Sequence, residues 1–359
     1  MKAKNQLQEL RELSSRFPMS MSNEDFERLN VIYHYAVENL EDPHAMFTYS
    51  IAKAMRKHFE SKQTNEHIYL QRFEIPQIRL FELLIQQFPL ANLSQNCINT
   101  LLIDALKNLT NPVLMDIGIG TGFQVTNIIA GLKKLQDCKI QNLTIIGIEP
   151  FADALNTAEK NIFEASLNAK FKIELISKEA FIEQLSISDI ENLLPQSNDG
   201  IYVNASFALH HIQTAENRKS VFENLKSLKI SAFALSEPNS NHFEKNYQKR
   251  FDNCINHYGT LFRIIDSLPI SNHEKAALKL FFSREIDDVL GNKEDVRIEK
   301  HYATEQWVRL FEETGFKLVK KESQFEITEL NGTILNTELP NRYSTEFEGE
   351  EITSLFWAI

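Results

Sequence analysis

The chain has 359 residues, of which 43% are hydrophobic and 24% charged, as expected for a globular protein large enough to bury a sizeable core. Its 49 acidic and 38 basic residues give a formal net charge of −11, which argues against non-specific nucleic-acid binding. Three cysteines without a CxxC spacing argue against a disulfide framework. The polar start and the lack of any long apolar run predict neither a secretory signal nor a membrane span. A cytoplasmic location is the simplest prediction, and a secreted effector without a cleavable signal would have the same composition.

Residues 1 to about 110 have the apolar spacing of helices. Ser22-Asn23-Glu24-Asp25 resembles a capping box, and Asp42-Pro43 is typical of a helix start, where the aspartate caps and the proline takes the first helical position. Further helices are predicted at about 76–88 and 94–109. The first third of the chain is therefore predicted to be helical.

From residue 111 the pattern changes to short apolar runs that alternate with amphipathic segments. This alternation predicts βαβ units and a mostly parallel, Rossmann-like sheet. The stretch 239–292 is helical again, a last helix is predicted at 306–314, and an extended loop with some β character is predicted between two closing strands. The predicted strands are 113–117, 143–148, 171–176, 200–204 and 232–236, followed by the closing strands 316–327 and 352–359.

A glycine-rich loop follows the first predicted strand. Asp116-Ile117-Gly118-Ile119-Gly120-Thr121-Gly122 lets the backbone turn sharply and approach a ligand closely, because glycine has no Cβ. The leading aspartate distinguishes it from the dinucleotide pattern GxGxxG, and a carboxylate such as Asp116 can bind the α-amino group of S-adenosylmethionine. Glu149, at the end of the second strand, can accept hydrogen bonds from both ribose hydroxyls. We favour S-adenosylmethionine as cofactor over a glycine turn that binds no ligand.

Polar residues after two other strands are further candidates for the cofactor site. Ser177, Lys178 and Glu179, after the third strand, either contact adenine or form a solvated loop. Asn204, after the fourth strand, is predicted to approach the methyl donor through its backbone, because ligands of open α/β sheets bind at the carboxyl ends of the strands.

An acceptor site is predicted from a glutamate and histidines. His211 of the His210-His211 pair, Glu237 and His242 are candidates to hold or deprotonate an acceptor. The alternatives are a capping or core role for the other histidine of the His210-His211 pair and an ion pair between Glu237 and an arginine. Among the ten histidines there is no HExxH or other short metal-binding spacing, so no metal site is predicted.

Several segments occur in the order typical of one protein family. They are Asp42 to Tyr49, Val113 to Asp116 with Gly122 to Gln124, Ala208 to His211, Glu237 to His242, Tyr258 to Phe262, Ser283 to Ile286, Arg297 to His301, and Ser354 to Trp357. Taken together, they resemble the GRAS family, specifically its bacterial branch, and the match spans roughly residues 30 to 359. Arg284, Glu285, Arg297, Glu299 and His301 also match family positions and are interpreted as a structural ion-pair network.

The resemblance implies a class I methyltransferase fold: an α/β, mostly parallel sheet with one antiparallel C-terminal strand. It also implies an N-terminal helical cap and a helical insertion after the fifth strand. We therefore expect a helical cap at 1–110, a cofactor-binding core at 111–238, a cap insertion at 239–303 and the remainder of the core at 304–359. The function predicted first is methyl transfer from S-adenosylmethionine to a small-molecule acceptor. The alternative is a non-catalytic GRAS-type regulatory module that binds a small ligand or a protein partner.

Overall fold

Helices form the first part of the computed structural model, which describes residues 3–18, 20–40, 42–59 and 83–359. The capping box is confirmed, because Ser22 Oγ accepts the Asp25 N–H and Asp25 Oδ2 accepts the Ser22 N–H, both at 3.1 Å. The helix predicted at 94–109 is confirmed and begins earlier, whereas residues 76–82 of the helix predicted at 76–88 lie outside the described residues. The bounds are α1 Ala3–Ser14, α2 Asn23–Glu38, α3 Pro43–Phe59, a π-helical turn Leu83–Gln87 and α4 Pro89–Leu106.

A parallel sheet with flanking helices follows, and all five of its predicted strands are confirmed. The strand order is β3-β2-β1-β4-β5, so the chain continues to one side of β1 and then crosses to the other. Such a reversal opens a crevice at the carboxyl ends of β1 and β4, which is where the glycine loop lies. The bounds are β1 Val113–Ile117, α5 Phe123–Lys134, β2 Asn142–Glu149, α6 Ala152–Ser166, β3 Lys172–Glu179, α7 Ile187–Glu191, β4 Ile201–Ser206, α8 Ala215–Ser227 and β5 Ala232–Pro238.

The C-terminal part of the sheet differs from the prediction of one antiparallel strand. Within the described residues, nine strands form one sheet, in which β9 is antiparallel to both β5 and β8. Only the start of the strand predicted at 316–327 pairs with the sheet: the main-chain N–H groups of residues 317 and 319 donate to the carbonyls of residues 359 and 357. The rest of the prediction is wrong, because β8 pairs with residues 350–355 of β9 and leaves no free edge there. The bounds are β6 Glu329–Leu330, β7 Thr333–Asn336, β8 Tyr343–Phe347 and β9 Glu350–Ala358.

Helices interrupt the α/β alternation after β5, as predicted. They are α9 Tyr247–Ser267, α10 Asn272–Gly291 and α11 Thr304–Glu313. No helix in the part of the chain that the structure describes combines the length and apolar character needed to cross a membrane.

The chain divides into two compact units. The helical unit comprises Met1–Asn92, Asn239–Ala303 and Asn331–Thr333, and the sheet unit comprises Leu93–Pro238, Thr304–Leu330 and Ile334–Ile359. Phenylalanines fill part of the sheet unit's core: the Phe222 ring centroid lies 5.3 Å from that of Phe233 and 4.9 Å from that of Phe311. These rings pack α8 and α11 onto β5. The four-part domain division expected above stays a prediction.

Candidate functional site

The three glycines of the loop have left-handed backbone angles but different surroundings. A Cβ on Gly118 (φ +74°) would lie 2.6 Å from Ala208 Cβ, and one on Gly122 (φ +76°) would lie 3.1 Å from Ala158 Cβ. On Gly120 (φ +54°), a Cβ would meet no described atom within 4 Å. Gly118 and Gly122 are therefore required by packing and by their backbone angles. Gly120 marks the open side of the loop.

Glu149 closes the loop from the end of β2. Its Oε2 accepts the Gly120 N–H at 3.0 Å and its Oε1 accepts the Phe151 N–H at 3.2 Å. Burial raises the pKa of Glu149, while these two N–H groups act in the opposite direction. Since a carboxylate oxygen can accept two hydrogen bonds, both oxygens retain capacity for further donors. The ribose-binding role of Glu149 stays a prediction.

Asp116 lies beneath the loop in a network of buried polar side chains. The Asn204 amide donates to Asp116 Oδ1 at 2.8 Å and to Gln124 Oε1 at 3.3 Å. The pKa of Asp116 is raised to about 7, because the raising effects of burial and of the Glu149 carboxylate outweigh the lowering effect of the hydrogen bond from Asn204. Asp116 and Asn204 face each other in the register of β1 and β4. This pairing places Asn204 inside β4, which continues to Ser206, beyond the predicted end of the strand at Asn204.

Ser177 and Glu179 also lie within a strand. They belong to β3, where Ser177 is in register with Gly147 and Glu179 with Glu149. The predicted loop at this point is therefore wrong, because β2 continues to pair with the polar end of the edge strand. Their position at the carboxyl end of the parallel sheet is the one expected of a ligand site. Contact with adenine stays a prediction.

Glu237, the predicted acceptor-binding residue of β5, is fully buried and holds a short turn. Its Oε1 accepts the N–H groups of Ala208 at 3.1 Å and Leu209 at 2.7 Å. Its Oε2 lies 2.6 Å from Nδ1 of His210. The partner is a histidine and not the arginine considered above. His211 is in the same 3₁₀ turn, Leu209–His211, with its ring centroid 4.0 Å from that of His210.

His242 belongs to the helical unit, whereas Glu237 and His211 belong to the sheet unit. The ring of His242 is fully buried, stacks on Tyr258 at 5.4 Å, and has its Nε2 2.9 Å from Ser240 Oγ. Burial, followed by the neighbouring His301 and His257, lowers the pKa of His242 well below its usual value. His242 is therefore packed as a side chain of the core.

The structure brings together Glu285, Glu299 and His301, three members of the predicted ion-pair network, in the helical unit. Potential ligand atoms of the three side chains lie within 4.8 Å of one another, and all three residues are buried. Glu299 and His301 form an ion pair at 3.2 Å, whereas Arg297 pairs with Glu294, which was not a predicted member. Sequence reasoning did not predict metal ligands here, because Glu285 is distant in sequence from Glu299 and His301 and spacing rules for metal motifs do not detect such a set.

The strand order defines an α/β protein with a mixed central sheet, and comparison with known proteins identifies its family. The model of the GRAS domain family matches residues 1–358, and the chain belongs to that family. Scarecrow-like protein 34 of Arabidopsis thaliana is 26% identical over 252 residues, covering 67% of this chain and 40% of that protein. Scarecrow-like transcription factor PAT1 of Arabidopsis thaliana is 22% identical over 372 aligned positions, covering 98% of this chain and 68% of that protein.

A solved structure shows the same fold. SCL7 of Oryza sativa superimposes with a TM-score of 0.82 at 17% identity and 99% coverage of both chains. The chain spans between 26% and 46% of the length of the first curated relatives it matches.

These findings correct the main functional prediction. Methyl transfer to a small-molecule acceptor is wrong, because the family matched over residues 1–358 is represented by Scarecrow-like and DELLA proteins, including one named a transcription factor. The regulatory alternative agrees better with them. Without that reaction, the acceptor roles predicted for Glu237, His211 and His242 no longer apply.

Proposed function

We propose that this chain is a non-catalytic regulatory module that acts by binding a protein partner. The observation that carries the proposal is the family match over residues 1–358, together with similarity over 98% of the chain to a protein named a transcription factor.

The contacts at the sheet edge support a structural use of its carboxylates. Glu237 binds two main-chain N–H groups and a histidine, and Glu149 binds two main-chain N–H groups. A general base needs a lone pair directed at the substrate proton. In Glu237, the oxygens are directed at the chain's own turn.

The same proposal assigns a small ligand to the glycine loop, bound as an effector and not consumed. S-adenosylmethionine, or its product S-adenosylhomocysteine, fits the set of groups there. Gly120 allows close approach, and Glu149 has capacity for ribose hydroxyls. Asp116 and Asn204, which bond to each other, position the loop. Ser177 and Glu179 lie at the neighbouring strand end, where an adenine would be held.

Calorimetric titration with S-adenosylhomocysteine tests the ligand. Gly120→Arg puts a long side chain into the open side of the loop, and we expect it to weaken binding at least tenfold. Gly349→Arg is a matched control, because Gly349 also has a positive φ (+81°) and no described atom within 4 Å of an added Cβ. Equal binding by both variants, or none by the unmodified chain, defeats the ligand assignment.

The regulatory role is tested separately. Cross-linking and affinity purification from the source cells should identify a protein, and the purified pair should bind saturably at a fixed stoichiometry. In parallel, the chain is incubated with methyl-labelled S-adenosylmethionine and a small-molecule extract. Repeated transfer of label to a small molecule, without any protein that binds, contradicts the proposal.

We also propose that the chain belongs to the bacterial branch of the family and that its sheet is of the class I methyltransferase type. The cap-and-core division given above and a cytoplasmic location are proposed with them. The strand order β3-β2-β1-β4-β5 followed by an antiparallel strand supports the sheet type. The net charge of −11 supports a protein partner over nucleic acid.

A further inference from the structure

The buried cluster of the helical unit contains ligating groups of two kinds. Glu285 and Glu299 offer carboxylate oxygens and His301 offers an imidazole nitrogen, all within 4.8 Å of one another. The residues are 8%, 1% and 2% exposed. Nε2 of His301 lies 3.2 Å from Oε2 of Glu299.

The fold brings these three side chains together from two segments. Glu285 lies on α10, and Asp288, one helical turn further, accepts the N–H groups of Ile298 at 2.8 Å and Glu299 at 2.7 Å. These bonds fix the segment that follows α10 against the helix. Glu299 and His301 are two residues apart, the spacing that places side chains on the same side of an extended chain.

We propose that Glu285, Glu299 and His301 form a binding site for one divalent first-row transition-metal ion. This goes beyond the proposed regulatory function and does not depend on it. One imidazole with two carboxylates suits a borderline ion such as Zn²⁺ or Mn²⁺, whereas Mg²⁺ and Ca²⁺ favour oxygen-only sets.

The geometry requires only a small contraction. Ligand atoms around tetrahedral Zn²⁺, at bond lengths of about 2.0–2.2 Å, lie about 3.3–3.6 Å apart. Separations of up to 4.8 Å would therefore shorten by about 1 Å on binding. The His301 ring packs against the rings of His242 and His257, at centroid distances of 4.7 Å and 5.7 Å, and these contacts fix its position.

Ion pairs lie within this set and beside it. Nε2 of His301 pairs with Oε2 of Glu299, and Arg297 and Lys300, which flank Glu299 in sequence, make ion pairs with Glu294. A divalent ion bound by Glu285 and Glu299 would place two positive charges beside two buried carboxylates. A hydrogen-bonded Glu–His network without metal is the competing outcome.

The test uses the full chain, treated with chelator and then dialysed. We expect calorimetry to show one Zn²⁺ bound, weaker Mn²⁺ binding and no Mg²⁺ binding. Glu299→Gln and His301→Gln should each weaken Zn²⁺ binding at least tenfold. Glu27→Gln and His273→Gln, on exposed residues of the same unit, should leave it unchanged.

Two results overturn the proposal. One is an unmodified chain that binds no Zn²⁺, or binds it no more tightly than Glu299→Gln does. The other, obtained without any variant, is X-ray absorption of the zinc-loaded chain showing a sulfur ligand. A zinc ion coordinated by oxygen and nitrogen, with the scattering pattern of imidazole, supports the site. This measurement decides the question even if circular dichroism shows that a variant does not fold.

Discussion

The two units place their buried carboxylates in different surroundings. In the sheet unit, Glu149 and Glu237 end strands and bind main-chain N–H groups of adjacent turns. In the helical unit, Glu285 and Glu299 lie beside the imidazole of His301. Asp288 is the exception there, because it holds two main-chain N–H groups as Glu237 does. A carboxylate that holds the main chain is part of the fold, whereas a group of ligating side chains can serve an ion.

The largest effect is expected from removing a carboxylate that holds the main chain. Glu237→Ala leaves two buried N–H groups and His210 without their acceptor, which should lower the free energy of unfolding by about 3–5 kcal/mol. Asp288→Ala should cost a similar amount for the same reason. Urea unfolding measures both.

Glu223→Ala is the control, because this side chain is 55% exposed and 3.9 Å from Lys219. It should change stability by less than about 0.5 kcal/mol. If Glu237→Ala lost no more stability than Glu223→Ala, the turn at Ala208 and Leu209 would be stable without its carboxylate. The distinction between carboxylates that hold the main chain and carboxylates that can bind an ion would then fail.

The glycine loop gives the next effect. Gly118→Ala must adopt φ +74° and place Cβ 2.6 Å from Ala208 Cβ, so we expect a loss of about 2–4 kcal/mol. Gly120→Ala has the backbone cost alone and should lose about 1 kcal/mol. Urea unfolding measures both variants. Equal losses of stability would mean that the loop moves away from Ala208 to accept the new Cβ, and the contrast between a packed Gly118 and an open Gly120 would then fail.

The sheet edge was predictable to a large extent and the helical cluster was not. Buried parallel strands are continuous apolar runs, so the run before Asp116 and the run before Glu149 were visible, and strand order then brings their ends together. The partner of Glu237 was not visible, because His210 reaches it through a turn. The strand β8 was missed, since β9 supplies its pairing and no apolar alternation marks it. Glu285 and His301 meet only through packing of α10.

A smaller, pH-dependent effect separates Asp116 from a surface carboxylate. The pKa of Asp116 is raised to about 7, chiefly by burial, so the folded chain keeps a proton that the unfolded chain loses near pH 4. Stability from this group is therefore complete below about pH 4 and is lost as the pH rises through 7. Asp116→Asn should gain stability relative to the unmodified chain between pH 4 and pH 8, on the order of 2 kcal/mol after relaxation is allowed for.

Urea unfolding at four pH values across that range measures the gain. Asp137→Asn, on an exposed residue of the same unit, should run parallel to the unmodified chain. A constant difference between Asp116→Asn and the unmodified chain at every pH would show that Asp116 is ionised in the folded state, and its network with Asn204 would then hold a charge.

The smallest effect compares the two units through a matched pair of helix caps. Thr214 Oγ1 accepts the Asn217 N–H at 3.1 Å at the start of α8, and Asn246 Oδ1 accepts the Lys249 N–H at 3.0 Å at the start of α9. Thr214→Ala and Asn246→Ala should each cost about 1 kcal/mol, because one main-chain donor in a first turn loses its acceptor. Hydrogen exchange should show the loss in the first turn of the altered helix. Because both caps are exposed and act locally, the two variants should lose the same amount of stability, whatever the buried carboxylates contribute. A loss near 3 kcal/mol at either cap would show that an exposed side chain can anchor the main chain as strongly as a buried carboxylate does.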